Sequence, residues 1–335
     1  MAVHKPTSAG LSGEAIPVGA IYEAREALAG HIKPTPLASS EALAARAGVP
    51  VHLKLEHHQI TGSFKLRGAT NAILKLTAEQ RAKGVVGVST GNHGRGLAYA
   101  ARQAGVPCVI CMSRLVPRNK IEAIESLGAE VRILGESQDD AQVEVDRLVA
   151  ERGLTMLPPF DHPDIIAGQG TLGLELLEDL PEVGTVVVPV SGGGLISGIA
   201  LAVKSARPET RVVGVSMARG AAMYESQKAG APVPVEELET LADALGGGIG
   251  LDNRYTFAMV RDLVDQLLLV DEARIAEAIR HAYWQEKQVI EGAGAVGIAA
   301  LQAGLIEGAG PVAVVVSGCG IDMKLHNSLV GGRHN

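Results

Sequence analysis

The sequence predicts an α/β protein built on parallel sheets. Three observations carry this reading: short unbroken apolar runs such as VVGVST, PCVICM and TVVVPV, amphipathic stretches between them, and 41 glycines against 3% aromatic residues. Strands that read as continuous apolar runs are buried on both faces, and their alternation with helices implies right-handed crossovers between parallel strands. Glycine at this frequency suits tight strand-to-helix turns.

In chain order, VVGVST (85–90) reads as a strand and GNHGRGLAYAARQAG (91–105) as its helix. VPCVICM (106–112), PRNKIEAIESLG (117–128) and VRILG (131–135) repeat the scheme, and SQDDAQVEVDRLVAERG (137–153) is a further helix. The prolines of LPPFDHP (157–163) interrupt the alternation and mark a seam. TVVVPV (185–190) leads into the helix LISGIALAVKSARP (195–208), followed by the strand RVVGVSM (211–217). DEARIAEAIRHAYWQEKQV (271–289) has helical periodicity, and PVAVVVSG (311–318) reads as the last strand.

Composition narrows the function classes. The 335 residues are 47% hydrophobic with a net charge of -7, so a large core is expected and no polyanion partner. No dense Lys/Arg patch suggests nucleic acid, and MAVHKPTSAGLSGEAIPVG holds no apolar run that would make a secretory signal or a membrane span. A cytoplasmic protein is expected. The three cysteines, Cys108, Cys111 and Cys319, are too few for a disulfide framework. Cys108 and Cys111 form C-x-x-C within a strand-like run, with no second ligand pair for zinc, and read as core residues.

Three strand-to-helix turns are rich in small residues, and ligands of open parallel sheets bind at such places. Ser191-Gly192-Gly193-Gly194-Leu195 follows TVVVPV, and its backbone N–H groups at a helix start suit a phosphate. Ser89 to Gly96, STGNHGRG, offers hydroxyls and N–H groups for a carboxylate, or an ordinary N-cap. SGCG, from Ser317, offers a hydroxyl or another cap. Gly292, Gly294 and Gly297 match G-x-G-x-x-G, but a helical stretch precedes them where the dinucleotide fingerprint requires a strand. His57 and His58 lack metal-ligand spacing. TGSFKLRGA (61–69) sets Lys65 between Phe64 and Leu66, an apolar setting for an ammonium.

TGSFKLRGA, STGNHGRG, IAGQGTLGLE (166–175), SGGGL and SGCG occur in this order, and together they resemble the fold type II pyridoxal-phosphate enzymes of the threonine dehydratase and serine racemase branch. The similarity runs from about Pro34 to Ser317. It implies two parallel-sheet, three-layer αβα domains, with residues 1–51 and 156–335 in the larger, 52–155 in the smaller, and the active site in the cleft. GGGIGLDNRYTF (246–257) and VIEGAGAVGIAAL (289–301) look most like the ectoine and hydroxyectoine utilisation dehydratases. Without the C-terminal regulatory extension of biosynthetic threonine dehydratases, a catabolic role is expected.

The resemblance implies pyridoxal 5'-phosphate bonded to Lys65 and flanked by Phe64. Asn92 would meet the ring oxygen, and Gly192, Gly193, Gly194 and Leu195 the phosphate, with Ser191 assisting. Ser317 would face the pyridine nitrogen, with Glu291 near the ring. Ser89, Thr90, Gly91 and His93 would bind the substrate carboxylate, and Thr90 keeps the hydroxyl that racemases use as a second base. Burial would lower the pKa of Lys65 so that its amine can act as nucleophile and base. No metal is implied: Ser216 and Ala222 stand where serine racemase carries carboxylates, and hard cations prefer anionic oxygens. Asn253, Arg254 and Tyr255 are candidates to line an extended substrate pocket.

The implied reaction is elimination from a β-hydroxy amino acid or a hydroxyectoine-derived amino acid, to a 2-oxo acid and ammonia. The alternatives are a threonine or serine dehydratase, a serine or hydroxyaspartate racemase, and a cofactor-binding protein without turnover. The resemblance also implies a homodimer.

Overall fold

The computed structural model describes residues 15–89, 91–114, 116, 118–136, 138–308 and 310–331. Among them ten strands form two sheets. In chain order they are β1 (Leu37–Ser39), β2 (Val51–Lys54), β3 (Val85–Val88), β4 (Cys108–Met112), β5 (Glu130–Ile133), β6 (Thr155–Met156), β7 (Thr185–Pro189), β8 (Arg211–Met217), β9 (Gln266–Val270) and β10 (Val312–Val315). The larger sheet has the order β1-β2-β10-β7-β8-β9 and the smaller β5-β4-β3-β6. All neighbours are parallel except β1 and β2. The antiparallel edge β1 departs from the all-parallel expectation. Its three residues are only partly buried, so they carry no apolar run that sequence could register.

The central strands β4, β7 and β10 are buried along their whole length, as their unbroken apolar runs require. β2 pairs with β10 through Lys54, and β6 pairs with β3 at Thr155 and Met156. The chain therefore passes between sheets slightly later at both crossings than divisions at 51/52 and 155/156. The helices Pro163–Asp179 and Gly194–Ala206 cross at glycines: a methyl on Gly198 would stand 2.6 Å from the Gly170 nitrogen. The helix Glu272–Trp284 stops short of the expected Val289, because Lys287 takes a left-handed φ of 59° that ends helical propagation. Gly292, Gly294 and Gly297 lie on the helix Gly292–Gln302, which follows a helix and a loop. Small residues there let the helix approach Leu241, Gly318 and Val314 closely.

A buried ion network ties β2 of the larger sheet to two helices. The Arg67 guanidinium, with no solvent exposure, donates to both oxygens of Glu56 and both of Glu175 at 2.6–2.9 Å. Lys54 donates to the Thr35 carbonyl and pairs with Glu175 and Asp179. β2, the turn after it, the helix Lys65–Leu74 and the helix Pro163–Asp179 thus share one set of charges.

Candidate active site

Lys65 is the first residue of its helix, reached through a turn in which Gly62 has a φ of 78°. Phe64 donates its N–H to the Ser317 carbonyl at 3.1 Å, and Ser63 bridges Gly318. These contacts bring SGCG, at the carboxyl end of β10, against the Lys65 turn. The amine donates to the Pro159 carbonyl at 2.7 Å and stands 5.2 Å from the centre of the Phe64 ring. Burial pushes its pKa down to about 8, against the nearby Glu291 carboxylate, which pulls it up.

Asn92 starts the helix Asn92–Gln103 and donates its amide to Glu291 Oε1 at 2.6 Å. Glu291 is buried. Its carboxylate lies over Gly318 and Gly320: a methyl on Gly320 would stand 2.7 Å from Glu291 Oε2 and 2.9 Å from Asn92 Oδ1. The glycine at 320 is therefore the room the carboxylate uses. Cys319 points away, toward the Gly62 carbonyl at 3.5 Å, and burial raises its thiol pKa.

Ser191 to Leu195 forms the turn between β7 and the helix Gly194–Ala206. Gly193 has a φ of 89°, which side-chain-bearing residues rarely adopt. A methyl on Gly192 would enter the Phe160 ring, one on Gly194 would stand 3.0 Å from Phe160 Cα, and one on Gly193 2.8 Å from Met223 and 3.0 Å from Thr256. All three glycines are thus required by close neighbours, and Gly193 by backbone shape as well.

Those neighbours reveal a part of the site that sequence reasoning read only as a seam. Residues 157–162 cross from β6 to the helix Pro163–Asp179 as a strap. The Leu157 carbonyl accepts from His93 Nε2 at 2.9 Å, the Pro159 carbonyl holds Lys65, and Phe160 packs on Gly192 and Gly194. The Asp161 carboxylate accepts the N–H groups of Arg254, Tyr255 and Thr256 at 2.7, 3.0 and 2.9 Å, capping the helix Thr256–Leu263. The signal available in sequence was the pair of prolines followed by an aspartate, but its partners lie 93 to 95 residues away.

The other expected residues divide. Ser89 accepts from the Gly91 N–H at 3.2 Å, keeping the turn before Asn92 compact. Thr90 lies outside the described residues. The His93 ring is buried and turned to Leu157; burial and the Lys65 charge push its pKa down to about 3, so it stays neutral. Asn253 spends its side chain on the Ile249 carbonyl, Thr256 and the Phe257 N–H, and Tyr255 packs with Ile16, Ile166 and Met259. Arg254 is exposed, its guanidinium 5.5 Å from the Tyr255 ring centre. His57 and His58 occupy a 3-10 turn, not a strand, and both Nε2 atoms meet Gln288 Oε1. Cys108 and Cys111 are buried in β4, and burial raises both thiol pKa values. Among the described residues no three His, Cys, Asp or Glu side chains group to hold a metal ion, and no helix is long and apolar enough to cross a membrane.

The residues fit pyridoxal 5'-phosphate. A glycine cradle at a helix N-terminus suits its phosphate, a buried amine of lowered pKa its aldehyde, and an amide and a serine its ring. Buried Ser63 Oγ has no hydrogen-bond partner among the described residues, an orphan that a bound group can satisfy.

Comparison with known proteins agrees with this geometry. Residues 28–318 match the family model described as pyridoxal-phosphate dependent enzyme. A putative threonine dehydratase of Sinorhizobium fredii is 58% identical over 313 residues, covering 93% of this chain and 94% of that protein. An L-threonine ammonia-lyase of Thermotoga maritima is 43% identical over 310 residues, 92% of this chain and 77% of its own. The structure of maize serine racemase superposes with a TM-score of 0.88 at 35% identity, covering 95% of this chain and 98% of that one.

Proposed function

The chain belongs to the pyridoxal-phosphate dependent enzyme family, and from this premise we propose that it is a threonine dehydratase-like ammonia-lyase, removing the β-hydroxyl of a β-hydroxy amino acid to give a 2-oxo acid and ammonia. The observation that carries the reading is the Lys65 amine, set in a buried pocket with a pKa of about 8 beside a glycine cradle. When bound, the cofactor supplies an electron sink for charge left at the substrate α-carbon.

The chain's own residues do the rest. Lys65 would hold the cofactor through Nζ and, once the substrate's own amine has taken its place there, its neutral amine accepts the α-proton. N–H groups of Gly192, Gly193, Gly194 and Leu195, helped by Ser191, would hold the phosphate. Phe64 would flank the ring, Asn92 would bind its oxygen with Glu291 fixing the amide, and Ser317 would offer its nitrogen a neutral partner. A neutral partner would leave the ring a weaker electron sink, which suits expulsion of the hydroxyl. Ser89, Gly91 and His93 would bind the substrate carboxylate, with Thr90 joining them by resemblance alone; His93 would act through its backbone, because its ring serves Leu157.

The two sheets are the cores of two domains with the site in their cleft, in a cytoplasmic homodimer. The finer substrate reading, an amino acid from hydroxyectoine ring opening, rests on the resemblance of residues 246–257. Purified enzyme assayed for ammonia and 2-oxo acid on threonine, serine, threo-3-hydroxyaspartate and hydroxyectoine-derived amino acids tests both readings. Fast turnover of threonine alone overturns the finer one. Loss of optical rotation without 2-oxo acid overturns the lyase in favour of a racemase.

A further inference from the structure

Three pieces of chain close on one another beside the Lys65 amine. The strap meets the glycine turn where Phe160 covers Gly192 and Gly194. The glycine turn meets the helix Thr256–Leu263 where Gly193 lies against Thr256. That helix meets the strap where Asp161 takes the N–H groups of Arg254, Tyr255 and Thr256. Only the third contact is charged, and it joins segments more than 90 residues apart. A carboxylate on three N–H groups at a positive helix end is a strong, directional joint.

We propose that Asp161 is a positioning residue for cofactor binding, locking the glycine turn in its phosphate-holding shape and Pro159 against Lys65. Asp161 touches neither cofactor nor substrate and acts through its neighbours. Without its carboxylate, Phe160 loses the anchor that presses it on the glycines, and the turn relaxes. Pro159, two residues back, loses register with the amine, whose other charged or titratable neighbours are Glu291 and His93. The proposal rests on the reading that Gly192 to Gly194 hold the phosphate.

The test compares dissociation constants of cofactor-free protein for pyridoxal 5'-phosphate and for pyridoxal, which lacks the phosphate. Wild type favours the phosphate form, and Gly193→Ala loses that preference; failure of either result sinks the reading of the glycine turn itself. Asp161→Ala is expected to lose roughly ten- to hundredfold of the preference, the scale of charge-assisted hydrogen bonds. Asp161→Asn, which keeps an acceptor oxygen, loses less and remains usable if the alanine variant folds poorly. Asp271→Ala removes a carboxylate cap on another helix, one that holds the Arg274 N–H and takes part in none of these three contacts; the variant lowers the melting temperature and leaves the preference unchanged. If the Asp161 variants melt earlier yet keep the wild-type preference, Asp161 is an ordinary helix cap and the proposal is overturned.

Discussion

The side-chain amide of Asn92 donates to the Glu291 carboxylate at 2.6 Å, joining residues 199 positions apart at the mouth of the Lys65 pocket. The carboxylate fixes which way the amide faces, and its charge is the one that raises the Lys65 pKa against burial. Glu291→Gln keeps a hydrogen-bonding group and removes the charge. The ammonium loses its support, so the Lys65 midpoint moves below about 8. Competitive acetylation of cofactor-free protein across pH, read at Lys65 by mass spectrometry, measures the midpoint. A midpoint that stays or rises contradicts the electrostatic coupling.

Lys65 also shapes stability against pH. Its amine holds a proton up to about 10.5 when unfolded and releases it above about 8 when folded. Between these values the unfolded chain binds more protons, so stability rises with pH across the window. Below it the buried ammonium is a standing penalty. Cofactor-free Lys65→Met is therefore expected to be more stable than wild type at pH 7, with the gap shrinking toward pH 10. Urea unfolding at the two pH values measures this, and the same variant lacks the absorption band of covalently bound cofactor.

The Arg67 network supplies a larger effect. Arg67→Met leaves Glu56, which has no solvent exposure, without its guanidinium. Removing one partner of a buried pair costs about 3–5 kcal/mol, because the other charge stays buried. Glu56→Gln combined with Arg67→Met is expected to recover part of that loss. Chemical denaturation of the single and double variants decides it: a double variant as unstable as the sum of the singles would show that the two charges do not act as a pair.

How much of this was legible in the sequence follows from where each residue's information lies. The apolar runs of β3, β4, β7, β8 and β10 announce themselves, because both faces of those strands are buried. β1 does not, because half-exposed residues at a sheet edge carry no pattern. Lys65, Asn92, Ser317 and the glycine turn stand in short motifs that could be read in place. Pro159 and Leu157 act through carbonyl oxygens, which every residue has, so no side chain marks them. Asp161 carries a distinctive group, but its partners follow 93 to 95 positions later and only folding brings them together. Asn253 and Tyr255 were read as pocket residues from their chemistry, yet that chemistry is used to start a helix and to fill a core cluster.

Gly320 offers the sharpest check on the Glu291 arrangement, because its lack of a side chain leaves the room that the carboxylate uses. A side chain at 320 meets Glu291 Oε2 and Asn92 Oδ1, each closer than 3.0 Å to its first carbon. Both are ends of side chains bonded to each other in a buried site, so one must leave. Gly320→Asn is therefore expected to part Glu291 from Asn92 and to lower the Lys65 midpoint in the same direction as Glu291→Gln. In the Glu291→Gln background the charge is already gone, so Gly320→Asn should add no further shift. Two shifts that add in the double variant would mean that Gly320 acts on the lysine by a route other than Glu291.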